Sequence, residues 1–178
     1  MNTDKTDQSD RDIAQGLLQR DEAAVKQLTQ RYASTLTRIA CLYLGDVHAA
    51  EDVAQETLIA LWDGAPKTRN SIRLKPWMFG ILFNRCRKLR RSLSRRLRRE
   101  RVAADMRTAE PANEERLKTL HEALLKLKGD LRSIIILRFE QGFSVAQTAE
   151  TLGLPEGTVK SRTRAAIRAL KAHVRCEP

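Results

Sequence analysis

Apolar side chains recur at intervals of three and four along most of the chain, the spacing of one face of an α-helix. From Asp10 the series runs Ile13, Leu17, Leu18, Val25, Leu28, Tyr32, Leu36, Ile39 and Tyr43; residues 1–9, which precede it, are expected to be a flexible tail. Gly45-Asp46 interrupts the series, and Asp46 is placed to cap a second helix that reaches about Trp62. The stretch GAPKTRNSIRLKP (64–76) carries a glycine, two prolines and a serine, and reads as a loop. After Pro76 a long stripe follows: Trp77, Phe79, Leu82, Cys86, Leu89, Leu93 and Leu97. Periodicity fades between about Arg96 and Asn113, where alanine, acid and Pro111 appear. From Glu114 it resumes with Leu117, Leu120, Leu124 and Leu127, then Leu131, Ile134, Ile135, Leu137 and Phe139. The strand signal is weak, since Val and Ile rarely alternate with polar residues over a whole strand length. The expected fold is all-α: two small helical domains, 10–95 and 114–175, joined by a flexible linker at 96–113.

The C-terminal segment carries the sharpest local signals. Ser144 can cap a short helix, VAQTAETL, that stops at Gly153, and Leu154-Pro155 opens the next with proline in its first turn. Two helices joined by a tight glycine-containing turn form a helix-turn-helix, and the small Ala146 and Ala149 suit a close crossing. At about 100° per residue, Val159, Thr163, Ala166, Ile167, Leu170 and Val174 fall on one face of the second helix. Thr158, Ser161, Arg164, Ala165 and Arg168 fall opposite, with Lys160 and Arg162 on the flanks. Short polar groups admit a helix deep into a major groove, where arginine donates bidentately to guanine or binds phosphate. Gly157 leaves the helix N-terminus open to a phosphate. A solvated cationic surface is the plainer alternative, and the preceding helix and tight turn weigh against it.

Charge extends this picture. The 178 residues carry a formal net charge of +11, which suggests a polyanionic partner, nucleic acid before membrane. Much of it lies in 76–101, where Arg85, Arg87, Lys88, Arg90, Arg91, Arg95, Arg96, Arg98, Arg99 and Arg101 face a single acid, Glu100. That density suggests a phosphate-tracking surface. The loop before it adds Lys67, Arg69, Asn70, Arg73 and Lys75, while Trp77 reads as core. One helix runs against the trend. In HAAEDVAQETLIALWD (48–63), Val47, Ala50, Ala54, Thr57, Leu58 and Leu61 make the expected buried face. Asp52, Glu56, Ile59 and Asp63 point away, with Gln55 beside them. Acid around an apolar contact repels DNA and suits a basic protein partner, although an ordinary surface helix would look much the same.

Other chemistries find little support. Cys41, Cys86 and Cys176 are far apart and odd in number, which fits neither a disulfide framework nor a zinc site and agrees with a reducing cytosol. The polar N-terminus is no signal peptide, and the longest aliphatic run, IIIL at 134–137, is too short to span a bilayer. His48, His121 and His173 form no visible cluster. No catalytic residue, metal site, cofactor or small-molecule substrate is expected. Three readings stand at this point: a factor that reads DNA on behalf of another protein, a stand-alone helix-turn-helix regulator, and a DNA recombinase with a helix-turn-helix tail. The recombinase requires strands and a nucleophile that residues 1–90 lack.

In the order of its parts the chain resembles the extracytoplasmic-function (ECF) sigma factors of bacterial RNA polymerase, over residues 12–94 and 114–174. AEDVAQETLIALW resembles the segment that grips the coiled coil of the largest polymerase subunit. PWMFGILFNRCRKLRR resembles the promoter-melting segment, with Trp77, Asn84 and Arg90-Arg91 at the family's motif positions. LRFEQGFSVAQTAETLGLPEGTVKSR resembles the reader of the upstream promoter element. Lys88 stands where the family often has Asp, Phe83 where Arg is common, and Thr163 to Ile167 depart from its usual continuation. The resemblance implies a sigma factor, not an enzyme, that works in the cytoplasm, binds core polymerase (coiled coil and flap) and promoter DNA, and is held by an anti-sigma partner. It implies polymerase contacts at Asp52, Gln55, Glu56, Ile59 and Asp63. It implies −10 contacts at Lys67, Arg69, Asn70, Arg73, Asn84, Arg87, Lys88 and Arg91, with an unpaired base captured in the 64–76 loop. The −35 contacts would be Thr158, Lys160, Ser161, Arg162, Arg164 and Arg168.

Overall fold

The computed structural model describes residues 3–64, 73–100 and 115–175, and these are helical nearly throughout. The elements are α1 (Thr3–Leu18), α2 (Glu22–Leu44), α3 (Val47–Gly64), α4 (Leu74–Glu100), α5 (Glu115–Lys126), α6 (Gly129–Ile135), a π-helical turn (Ile136–Glu140), α7 (Val145–Leu152) and α8 (Glu156–Arg175).

Several boundaries follow from local chemistry that the sequence announces. Asp46 Oδ1 accepts from Ala49 N–H at 2.8 Å and so caps α3. At α7, Ser144 Oγ accepts from Gln147 N–H and Gln147 Oε1 accepts from Ser144 N–H, a reciprocal capping box. Gly153 closes α7 in the left-handed region at φ 63°. Pro155 precedes α8, and its carbonyl accepts from Val159 N–H at 3.1 Å.

Other boundaries depart from the expectation. The backbone is already helical from Thr3, inside the stretch expected to be a tail. No glycine or proline interrupts residues 3–9, so the helix anchored by Ile13 and Leu17 propagates outward. The single long helix expected from Asp10 to Tyr43 is broken in two. Arg20 adopts φ 59°, and Asp21 caps α2 by accepting from Ala23 N–H at 2.9 Å. At its far side α4 runs on to Glu100, into the expected linker, through residues that favour helix.

Most of the core is one apolar cluster, and it crosses between the two halves of the chain. Leu28, Leu36 and Ile39 of α2, Leu61 of α3 and Met78, Leu82 and Phe83 of α4 join Leu124 of α5, Leu127 just after it, Leu137 of the π-helical turn, Phe143 before α7, and Ala166 of α8. The Phe79 and Phe143 rings meet edge to face at 5.6 Å, and Gly80 brings α4 so close to α7 that a Cβ there would lie 3.1 Å from Thr151 O. Arg38 pairs with Glu140, and Arg73 with Glu150 at 3.2 Å. A smaller cluster of Ile134, Ala149 and Val159 holds α6, α7 and α8 together.

A buried guanidinium ties the halves further. Arg132 of α6 donates from Nε to Leu124 O at 2.8 Å, and from Nη2 to Leu127 O at 3.2 Å and to Leu125 O. Its Nη1 donates to Tyr43 O at the end of α2. One cation thereby satisfies carbonyls at the C-terminal ends of two helices. Burial, reinforced by nearby Arg90, lowers its pKa to about 10.

Candidate polymerase and DNA interfaces

The acidic face of α3 forms largely as its periodicity predicts. Ala50, Ala54, Thr57 and Leu61 are buried, and Thr57 Oγ1 returns its proton to Val53 O at 2.7 Å, which allows a polar side chain in the core. Val47, expected on the buried face, is instead 56% exposed, because it is the first residue of the helix and lies beyond the packed region; Val53 is buried in addition. Asp52, Gln55, Glu56, Ile59 and Asp63 are all exposed, with Ile59 at 59%. They are not electrostatically equivalent. Glu56 Oε2 accepts from Arg85 Nη1 of α4, so its charge is compensated within the chain. Asp52 and Asp63 flank the exposed isoleucine on the same helix.

On α4, Asn84, Lys88 and Arg91 are exposed and Arg87 is half-buried. Arg73, immediately before the helix, is exposed but paired with Glu150 of α7. Lys67, Arg69 and Asn70 lie outside the described residues. Lys75 reaches back to Asp10 of α1 at 3.5 Å, and that buried carboxylate also accepts from the Tyr32 hydroxyl at 2.6 Å. Trp77 is half-buried against the core, as expected. Arg90, which the sequence offers only as one cation among ten, contacts the second half of the chain: a Cβ on Gly129 would lie 3.1 Å from its Nη1.

The C-terminal helix pair presents a polar and cationic face on α8. Val159 and Ala166 are buried and Thr163, Ile167 and Leu170 half-buried, with Thr163 Oγ1 donating to Val159 O at 2.7 Å. Lys160, Ser161, Arg164 and Arg168 are exposed, and Thr158 and Arg162 half-buried. Arg162 leans toward α6, where Nη1 lies 3.5 Å from Asp130 Oδ2. Ser161 Oγ donates to Thr158 O at 3.0 Å. A Cβ added at Gly157 would meet nothing, so the first turn of α8 is open. Of the two alanines expected at the helix crossing, Ala149 is buried and Ala146 is exposed, because only the former faces α6 and α8. Phe139, an apolar residue that continues the α6 stripe, is 61% exposed. It lies in the π-helical turn, whose wider winding shifts the register of the face.

Among the described residues no group of three or more His, Cys, Asp or Glu is placed to hold a metal ion, and no helix is long and apolar enough to cross a membrane. Burial pushes the Cys86 thiol up to about 12, which leaves it a packing group.

Comparison with known proteins agrees with this arrangement. The family model described as Sigma-70 region 2 matches residues 28–96, and that described as Sigma-70, region 4 matches residues 117–170. The ECF RNA polymerase sigma factor SigL of Mycobacterium tuberculosis is 33% identical over 85% of this chain and 89% of its own length. SigW of Bacillus subtilis is 26% identical, covering 87% and 91%. Among solved structures, CnrH in complex with the cytosolic domain of CnrY superimposes with a TM-score of 0.74, at 25% identity over 96% of this chain and 99% of that one. The sigma factor RpoE of Bartonella quintana, solved with the anti-sigma factor NepR, gives 0.72 at 28% identity over 86% and 98%. With both regions present in order and a relative matched along nearly its full length, the chain belongs to the ECF sigma factors of RNA polymerase.

Proposed function

We propose that this sigma factor divides its work between two units, 10–95 and 114–175, joined by residues 96–113. Asp52, Ile59 and Asp63, with Gln55 and Glu56, form the face that meets core polymerase. Asn84, Arg87, Lys88 and Arg91, together with Lys67, Arg69, Asn70 and Arg73, meet the −10 element and help to open it. Lys160, Ser161, Arg164 and Arg168 on the crest of α8, with Thr158 and Arg162 beside them, read the −35 element in the major groove. The carrying observation is the separation of charge: acid around an exposed isoleucine on α3, and cations on α4 and α8. The protein acts in the cytoplasm, without catalysis of its own, and an anti-sigma partner restrains it, as the complexes of related factors suggest.

The test is a footprint on fragmented genomic DNA with the purified chain, with and without core polymerase. Protection of two separated blocks only when polymerase is present supports the proposal. Tight sequence-specific protection by the chain alone would favour a stand-alone regulator.

A further inference from the structure

Where the two halves meet, Arg87, Arg90 and Arg91 of α4 face Lys128 at the start of α6 across a cavity of about 530 Å³, with Tyr43 and Asp130 also in its wall. That volume lies within the range of small-ligand sites, roughly 300–1,000 Å³. Among the described residues four cations and one carboxylate line it, and the carboxylate already lies 3.5 Å from Arg162. Among the described residues no carboxylate pairs with Arg87, Arg90 or Lys128, and Arg87 Nε is buried without a hydrogen-bond partner. A fifth cation, Arg132, stands behind the wall with its guanidinium 5.3 Å from the centre of the Tyr43 ring, its donors taken by carbonyls. Arg90 acts electrostatically on both Tyr43 and Arg132, which places like charges close together in a partly desolvated site. Gly129 makes the approach possible, since a Cβ there would lie 2.5 Å from the Tyr43 hydroxyl as well as against Arg90. The guanidinium groups of Arg87 and Arg90, so placed, are complementary to a dense anion.

We propose that this cavity binds a small oligophosphate anion, the phosphate chain of a nucleotide or of inorganic polyphosphate, and that the bound anion holds the two halves together. The site takes cations from both halves, so it is complete only while they are packed. A ligand that binds only the packed arrangement stabilises it by mass action. On the sigma-factor reading above, the anion also competes with promoter DNA for Arg87 and Arg91, and the factor is restrained as a result. A DNA backbone following α4 needs only the arginines of α4. Lys128 therefore separates the two cases.

The test is calorimetric titration of the full chain with sodium tripolyphosphate, and in a second arm with ATP and GTP. We expect single-site binding in at least one arm, weakened about tenfold or more by Lys128→Gln and by Arg90→Gln. Lys160→Gln, outside the cavity, should leave it unchanged. Lys128 is exposed and makes no side-chain cap bond, so Lys128→Gln keeps its fold, as a thermal melt would verify. Binding of tripolyphosphate identifies the phosphate chain as sufficient, whereas binding of nucleotides alone adds the nucleoside to the ligand. Absence of saturable binding in both arms, or equal weakening by Lys128→Gln and Lys160→Gln, overturns the proposal. So does a Lys128→Gln chain that binds the anions normally and duplex DNA less well. No polymerase enters the titration, so failure here leaves the transcription reading standing, and failure of transcription leaves the titration interpretable.

Discussion

Arg162 sits on the flank of α8, half-buried, with its guanidinium close to Asp130 of α6. That contact holds the side chain near α6 and leaves it partly exposed, on the surface proposed to read the −35 element. We expect Arg162→Ala to weaken binding to the upstream element by about 1–3 kcal/mol, the range of a bidentate base contact. Anisotropy titrations on the native duplex and on single-base variants measure this. A loss equal on every duplex would make Arg162 a phosphate contact instead. Cys86 shows a residue with the opposite fate. Burial raises its thiol to about 12, against about 8.5 for a thiol in an unfolded chain. Between these values the unfolded chain has released a proton that the folded chain keeps. Stability contributed by this group is therefore complete at neutral pH and falls as pH rises from about 9 toward 12. At mildly alkaline pH a thiol reagent should modify half-buried Cys41 before Cys86, and Cys86 only on unfolding. Mass spectrometry assigns the sites; early modification of Cys86 would contradict its burial.

At the scale of elements, the parts with chemical punctuation were legible. Ser144 and Gly153 bound α7 as the sequence suggests, and Asp46 starts α3. The break between α1 and α2 was not legible. Apolar spacing continues across it from Leu17 to Val25, and a left-handed arginine at position 20 has no compositional signature. The exposure of Phe139 was hidden for a related reason, since a π-helical turn changes the register without changing composition. The acidic face of α3 was readable from periodicity, but the compensation of Glu56 by Arg85 was not, because it depends on how α3 meets α4. That pairing guides the choice of variants. Glu56→Arg would set a cation against Arg85 and confuse binding with stability. We expect Asp52→Arg combined with Ile59→Asp, both at exposed positions, to weaken capture of core polymerase at least tenfold, while circular dichroism stays unchanged. Undiminished capture would remove α3 as the polymerase contact.

For the whole molecule, the sequence indicates two helical units and their order, and it is silent on their packing. Of the residues that join them, Phe79, Leu124 and Leu127 look like ordinary members of their own helical stripes, while Phe83 lies beside its stripe and Phe143 lies between helices. Only the fold shows that they share one core. Gly80 is a close point of this contact, where a Cβ would lie 3.1 Å from the backbone Thr151 O. A branched side chain there cannot be accommodated without displacing α7. We expect Gly80→Val to increase the radius of gyration in small-angle scattering while helical content is retained. An unchanged profile would mean that the halves pack more tolerantly than this geometry allows.

The division of labour between the acidic face and the basic helices is tested most directly by reconstituted transcription. Core polymerase, the purified chain and a promoter recovered from the footprint should give a specific transcript. That transcript should be lost with Asp52→Arg/Ile59→Asp for want of polymerase binding. With Lys160, Arg164 and Arg168 changed to Ala it should be lost for want of promoter binding, polymerase capture remaining intact. A full yield of specific transcript from either variant would contradict the assignment of that surface.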